Sequence, residues 1–134
     1  LLDGIRHPMM TRGGLARSDS SNFVLTDIRF QLVSADEVEV ENLEIATAQA
    51  TFEQRGHNIK NAFDKNPVSG WAVWNGKSVD RDHAAVFRLK QVVNVPKGSQ
   101  LRATLKFNSP HKHHNIGHFR LSATEVPTPA LNDE

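Results

Sequence analysis

The sequence predicts an all-β fold, a jelly-roll β-sandwich. Three observations carry that expectation. Apolar and polar residues alternate with period two in several short runs. Polar turns rich in Asn, Pro, Gly and Ser separate those runs. No long amphipathic helix and no internal repeat is present in the pattern. Many short strands joined by polar turns bury their apolar faces by stacking as two sheets.

Residues 1–22 are rich in Gly, Ser, Arg and Pro and lack periodicity, so this loop-rich lead-in reads as an ordered loop or a lead-in strand. Alternation then begins. Val24, Ile28, Phe30 and Leu32 share one face, with Asp27, Arg29 and Gln31 on the other. Val38 and Val40 alternate with Glu37, Glu39 and Glu41, and Leu43 and Ile45 continue on odd positions. Near Ala46 the phase changes, and Ala48, Ala50 and Phe52 take over the inward face. Such a slip means a bulge or a break between two strands. Asn75-Gly76 is a turn signal. Ala85, Phe87 and Leu89 make another alternating strand, and Pro96-Lys97-Gly98-Ser99 another turn. Leu101, Ala103, Leu105 and Phe107 alternate with Arg102, Thr104 and Lys106, the cleanest strand of the chain. The last strand sets Phe119, Leu121 and Ala123 against Arg120, Ser122 and Thr124. One domain is expected over 1–126, with a flexible tail over 127–134 containing Pro127 and Pro129.

At 134 residues the chain is long enough for one domain with a hydrophobic core. Its 16 basic and 15 acidic residues leave a net charge of +1, which argues against a nucleic-acid surface. The absence of cysteine removes disulfides, thiolate metal sites, a cysteine nucleophile and covalent haem attachment, so no haem is expected in this chain. No apolar run approaches the length of a membrane span, so no membrane insertion is expected. The start, Leu1-Leu2-Asp3-Gly4, has no signal-peptide pattern and no initiator Met, and the chain reads as a domain of something larger. Seven histidines make its charge sensitive to pH near 6.

Candidate chemistry lies in the turns. Calcium takes about six to eight oxygens. Asp64, Asn66 and Ser69, with backbone carbonyls between them, offer several from one loop, and Glu125 beyond the last strand is a candidate to complete the shell. The other reading is a loop held by side-chain-to-backbone hydrogen bonds, with Asp64 capping a turn. His111, His113 and His114 share a second loop. On an extended segment His111 and His113 point the same way and can share a metal; as a polar surface the three imidazoles can bind a ligand; a solvated loop is the third reading. Trp71 ends a constrained loop and reads as core, whereas Trp74, beside Asn75-Gly76, reads either as an exposed platform for the apolar face of a sugar ring or as a plug for one end of the sandwich. Asp80-Arg81-Asp82-His83 reads as a salt-bridged turn, because no nucleophile motif or phosphate loop accompanies its carboxylates. No enzyme activity is expected.

The segment Asn61-Ala62-Phe63-Asp64-Lys65-Asn66-Pro67, through Ser69-Gly70-Trp71, resembles the A-x-D-G-N-x-x-T-x-W signature of galactose-binding-like, or discoidin-type, domains. Lys65 stands where that family has Gly, and Ser69, one place ahead of Gly70, stands near its Thr. Gly13-Gly14-Leu15-Ala16-Arg17, Asn22-Phe23-Val24-Leu25-Thr26, Ala50-Thr51-Phe52, Gly70-Trp71-Ala72-Val73, His83-Ala84-Ala85-Val86-Phe87 and His114-Asn115-Ile116-Gly117-His118-Phe119-Arg120-Leu121-Ser122 are similar to a module of large secreted planctomycete-type bacterial proteins that also carry cytochrome-c-like domains. The resemblance spans residues 1–124. It implies a noncatalytic, lectin-like accessory domain, extracellular or periplasmic as part of its parent, with a glycan and neighbouring domains as partners. It also implies a structural calcium with Asp64 as carboxylate and Ser69 as a further oxygen, beside which Lys65 places a cation. Trp74, His111, His113 and His114 are the candidate glycan contacts. A structural or protein-interaction domain without a glycan ligand is the alternative.

Overall fold

Alternation over Asp27–Val33 makes a strand whose inward side chains need a second layer to cover them. A computed structural model, which describes residues 1–131, supplies that layer in a sandwich-like, all-β architecture of two antiparallel sheets. We label the strands β1 (Leu2–Gly4), β2 (Asp27–Val33), β3 (Val40–Leu43), β4 (Ile45–Ala50), β5 (His83–Leu89), β6 (Gln100–Lys106) and β7 (Phe119–Leu121). One sheet has the order β4-β5-β1-β7 and the other β3-β2-β6. In the smaller sheet β2 is central, running from Asp27↔Lys106 to Val33↔Gln100 against β6 and from Phe30↔Leu43 to Val33↔Val40 against β3.

The phase change near Ala46 has two physical causes. Glu44 alone separates β3 from β4 and carries the chain from one sheet to the other. Immediately beyond it, the pairing with β5 shifts register between Ile45 and Thr47, a β-bulge at Ala46. Past the bulge, Ala48 pairs with Phe87 and Ala50 with Ala85.

The core contains Leu2, Leu15, Phe23, Leu25, Ile28, Trp71, Val73, Ala85 and Phe87. Phe30 on β2 meets Phe87 on β5 edge-on at 5.7 Å, a contact that spans the two sheets. Trp71 is sealed from solvent, packs edge-on to Phe23 at 4.9 Å and donates its indole N–H to the Phe52 carbonyl at 2.9 Å. Burying such a side chain contributes about 5 kcal/mol gross, from roughly 200 Å² at ~25 cal/mol per Å².

The lead-in carries a strand: β1 lies inside the larger sheet, with Leu2 opposite Ala85 on one side and Leu121 on the other, and Leu15 and Ala16 are buried beyond it. Three expectations need correction. Val38 and Val40 face solvent, at 77% and 47% exposure, because this end of the β3 edge is left uncovered. Phe52 ends the inward run of β4 but emerges at the surface. Leu101, at the outer end of the edge strand β6, is likewise exposed. The tail expected over 127–134 reaches back to the body at Leu131; residues 132–134 lie outside the described residues.

Candidate functional site

The Asn61-to-Trp71 segment leaves the short 3-10 turn Ile59–Ala62, whose Ile59 and Ala62 are buried, and ends where Trp71 pairs with Leu25 in an antiparallel bridge. Between these anchors Asp64 closes the loop. Its Oδ1 accepts the Asn66 N–H at 2.8 Å and its Oδ2 accepts the Ser69 hydroxyl at 2.6 Å. Asn66 repeats the device, its Oδ1 accepting the Val68 N–H at 3.1 Å. These are Asx-type turns, in which a side-chain oxygen replaces a backbone acceptor. Gly70 is required by close approach: a Cβ there would lie 2.7 Å from the Leu25 carbonyl oxygen.

Asp64, Asn66 and Ser69 are therefore brought together, as the calcium reading and the hydrogen-bonded reading both require. The donor set fits the second more closely. There is one carboxylate, and each of its oxygens already accepts a hydrogen bond from the loop itself. Glu125 sits exposed on the segment after β7, and no hydrogen bond among the described residues links it to Asp64, Asn66 or Ser69. Among the described residues no group of three or more His, Cys, Asp or Glu side chains is placed to hold a metal.

A groove of about 480 Å³ lies elsewhere, between the end of β4 and the Asn75-to-His83 connection. That volume falls within the range of small-ligand sites, about 300–1,000 Å³. Thr51, Phe52, Asn75, Asp80, Asp82 and His83 are on its walls, and Leu131 joins them from the C-terminal segment. Phe52 is 38% exposed, and Trp74, between the lining residues Val73 and Asn75, is 42% exposed. The Trp74 backbone is fixed by donating to Gln54 Oε1 at 3.2 Å.

His83 gives the groove an imidazole held by Thr51. Thr51 Oγ1 accepts the Ala84 N–H at 3.0 Å and lies 3.0 Å from His83 Nδ1. Thr51 Oγ1 and His83 Nδ1 share one hydrogen bond, whose donor is set by the imidazole tautomer. Burial pushes the His83 imidazole below its ordinary value of 6.5; Arg81 adds to that shift, and Asp82 and Asp80 oppose it. The turn before it is only partly salt-bridged: Arg81 Nε lies 3.6 Å from Asp80, while Asp82 accepts the Arg6 N–H at 2.8 Å.

The histidine loop is a separate surface. His113 has a left-handed backbone, φ +61°, so the segment turns instead of extending. His111 consequently faces His114, with ring centroids 5.4 Å apart, and the loop does not take the extended form on which the His111–His113 metal reading was based. His114 Nδ1–H donates to the Lys112 carbonyl at 2.7 Å. Val24 donates to the His114 carbonyl on one side, while Leu25 bridges Trp71 on the other. Val24 and Leu25 therefore tie the ends of the two loops, at His114 and Trp71, through backbone hydrogen bonds. None of the four predicted glycan contacts lines the groove: Trp74 lies in sequence between its lining residues Val73 and Asn75, and His111, His113 and His114 lie in a separate loop.

Thr51, Phe52 and His83 were not singled out by the sequence as site residues. His83 had a signal: it is in phase with the buried Ala85 and Phe87, so it belongs to the inward face of β5 and not to the solvated turn. Comparison with protein-family models, with curated proteins and with solved structures finds no match to this chain.

Proposed function

We propose that this chain is a noncatalytic carbohydrate-binding module with a galactose-binding-like jelly roll, carried by a larger exported protein. The observation that carries this reading is the groove whose wall bears the exposed aromatic Phe52 beside hydrogen-bonding groups, with the exposed Trp74 adjacent in the chain to its lining residues Val73 and Asn75. A sugar ring needs that combination: an aromatic surface for its C–H face and polar partners for its hydroxyls. Asn75, Asp80 and Asp82 offer acceptors, and the His83 imidazole a further polar partner. The Asp64 loop braces the fold through its own hydrogen bonds, with calcium as the competing brace. Titration of a glycan panel by calorimetry tests the reading. Binding that is lost in Trp74→Ala and weakened in Phe52→Ala supports it; binding unchanged in both variants removes the groove from recognition.

A second reading, a structural or protein-interaction domain, is favoured by one observation. Phe119 and Leu121 are 44% and 41% exposed on β7, an edge strand with one neighbour. An apolar edge strand invites pairing with another chain. The absence of any glycan ligand, together with protection of the β7 amides from exchange in the full-length parent, would favour this second role.

A further inference from the structure

A second groove, about 710 Å³, opens between β2, the β3–β4 crossing and the Asp64 loop. Four cations line it, Arg29, Lys65, Lys90 and Lys106, against two carboxylates, Asp27 and Glu44. Two of the cations are already paired: Lys90 Nζ lies 2.6 Å from Glu44, and Arg29 Nε lies 2.8 Å from Asp27 Oδ2, out of line for a hydrogen bond. Lys65 and Lys106 form no ion pair among the described residues. The groove beside Trp74 has the opposite balance, with Asp80 and Asp82 against Arg81. The molecule thus carries one acidic and one basic groove although its net charge is only +1.

Lys65 marks the basic groove further. Its backbone is left-handed, φ +67°, a conformation glycine adopts freely and lysine does not. Local strain of this kind persists where the surrounding structure over-determines it, and it clusters at functional sites. Here the Asx turn of Asp64 imposes the conformation, and the side chain it carries is a cation on the groove wall.

We propose that this groove binds the carboxylate or sulfate groups of an acidic polysaccharide, with Lys65 and Lys106 as its free contacts. The charge density decides the class of polymer. Duplex DNA carries one phosphate about every 1.7 Å, and its binding proteins answer with many cations. Two unpaired lysines suit a chain whose charges recur once per sugar. Lysine also acts as a point charge that tolerates either anion. This assignment stands on its own groove and does not depend on a sugar beside Trp74.

The test is titration of the intact chain with polygalacturonate, dextran sulfate, neutral dextran and an oligodeoxynucleotide. Binding to one or both acidic polysaccharides, weakening with salt and absent for dextran, is expected; which polymer binds separates carboxylate from sulfate recognition. Lys65→Glu and Lys106→Glu should each lower affinity by roughly two- to fivefold at least. Lys97→Glu, an equal charge reversal at an exposed residue that lines neither groove, should leave this binding unchanged, so the outcome is read on Lys65 and Lys106 and is distinct from failure of the glycan reading. No binding to either acidic polymer at low salt, or binding untouched by both charge reversals, would overturn the proposal. Equal affinity for the oligodeoxynucleotide would overturn its choice of polymer.

Discussion

Replacing Asp64 by Ala tests whether the loop holds itself or is held by an ion. The substitution removes the carboxylate that accepts from Asn66 N–H at 2.8 Å and from the Ser69 hydroxyl at 2.6 Å. A hydrogen bond of this kind contributes about 0.5–1.5 kcal/mol net. Two of them on an exposed loop give about 1–2 kcal/mol, which for a chain of this size lowers the melting temperature by roughly 3–6 °C. Urea unfolding followed by tryptophan fluorescence, run in chelator and again in millimolar calcium, reads the loss directly. The same destabilisation is expected in both buffers. A double-mutant cycle with Ser69→Ala should show a coupling of about 0.5–1 kcal/mol, because each residue's contribution needs the other. Destabilisation confined to the calcium buffer would refute self-bracing, since the carboxylate would then be serving an ion. A coupling of zero would refute the Ser69–Asp64 bond.

Further outcomes follow from other contacts. Gly70→Ala drives a Cβ to 2.7 Å from the Leu25 carbonyl oxygen and from Val24 Cγ1, and should cost about 1–3 kcal/mol in thermal or urea unfolding. Trp71→Phe removes the indole N–H that satisfies the Phe52 carbonyl, and the unsatisfied acceptor plus the lost volume should cost about 2–4 kcal/mol. His83 carries a pH dependence whose sign is fixed by its lowered value. The unfolded chain binds the proton more readily, so this contribution is complete above the ordinary value of 6.5 and is lost as pH falls from there through the folded value. Melting temperatures of wild type and His83→Gln across pH 5–8 (about the range in which histidine titrates) should diverge in slope on the acid side. Trp74→Ala, at an exposed position, should change stability by less than about 0.5 kcal/mol in urea unfolding.

What was legible in the sequence was the local periodicity. Ile28, Phe30, Ala85 and Phe87 alternate because each strand has one covered face, and the pattern survives without knowledge of the partner. The break at Ala46 was legible for the same reason, since a bulge changes the phase of every later residue. Trp71 was identified as core because Gly70 and the turn before it constrain the chain. Of β1 only a lead-in strand, as one of two readings, was legible: three residues are too few for a period, and its partners lie some 80 and 120 positions away in β5 and β7. Val38 and Val40 show the opposite failure, in which perfect alternation has no layer to meet. The groove was missed because its walls come from Gln49–Phe52 and Val79–His83, segments that only the β4–β5 pairing brings together.

The most direct measurement is a backbone and side-chain NMR titration of the chain with the tightest-binding oligosaccharide of the glycan panel. The account predicts perturbations centred on Phe52, Trp74, Asn75 and the His83 imidazole, with the core residues Trp71 and Phe23 unmoved. Perturbations confined to the His111–His114 loop or to the β7 edge, with the Trp74 indole signal unchanged, would contradict it.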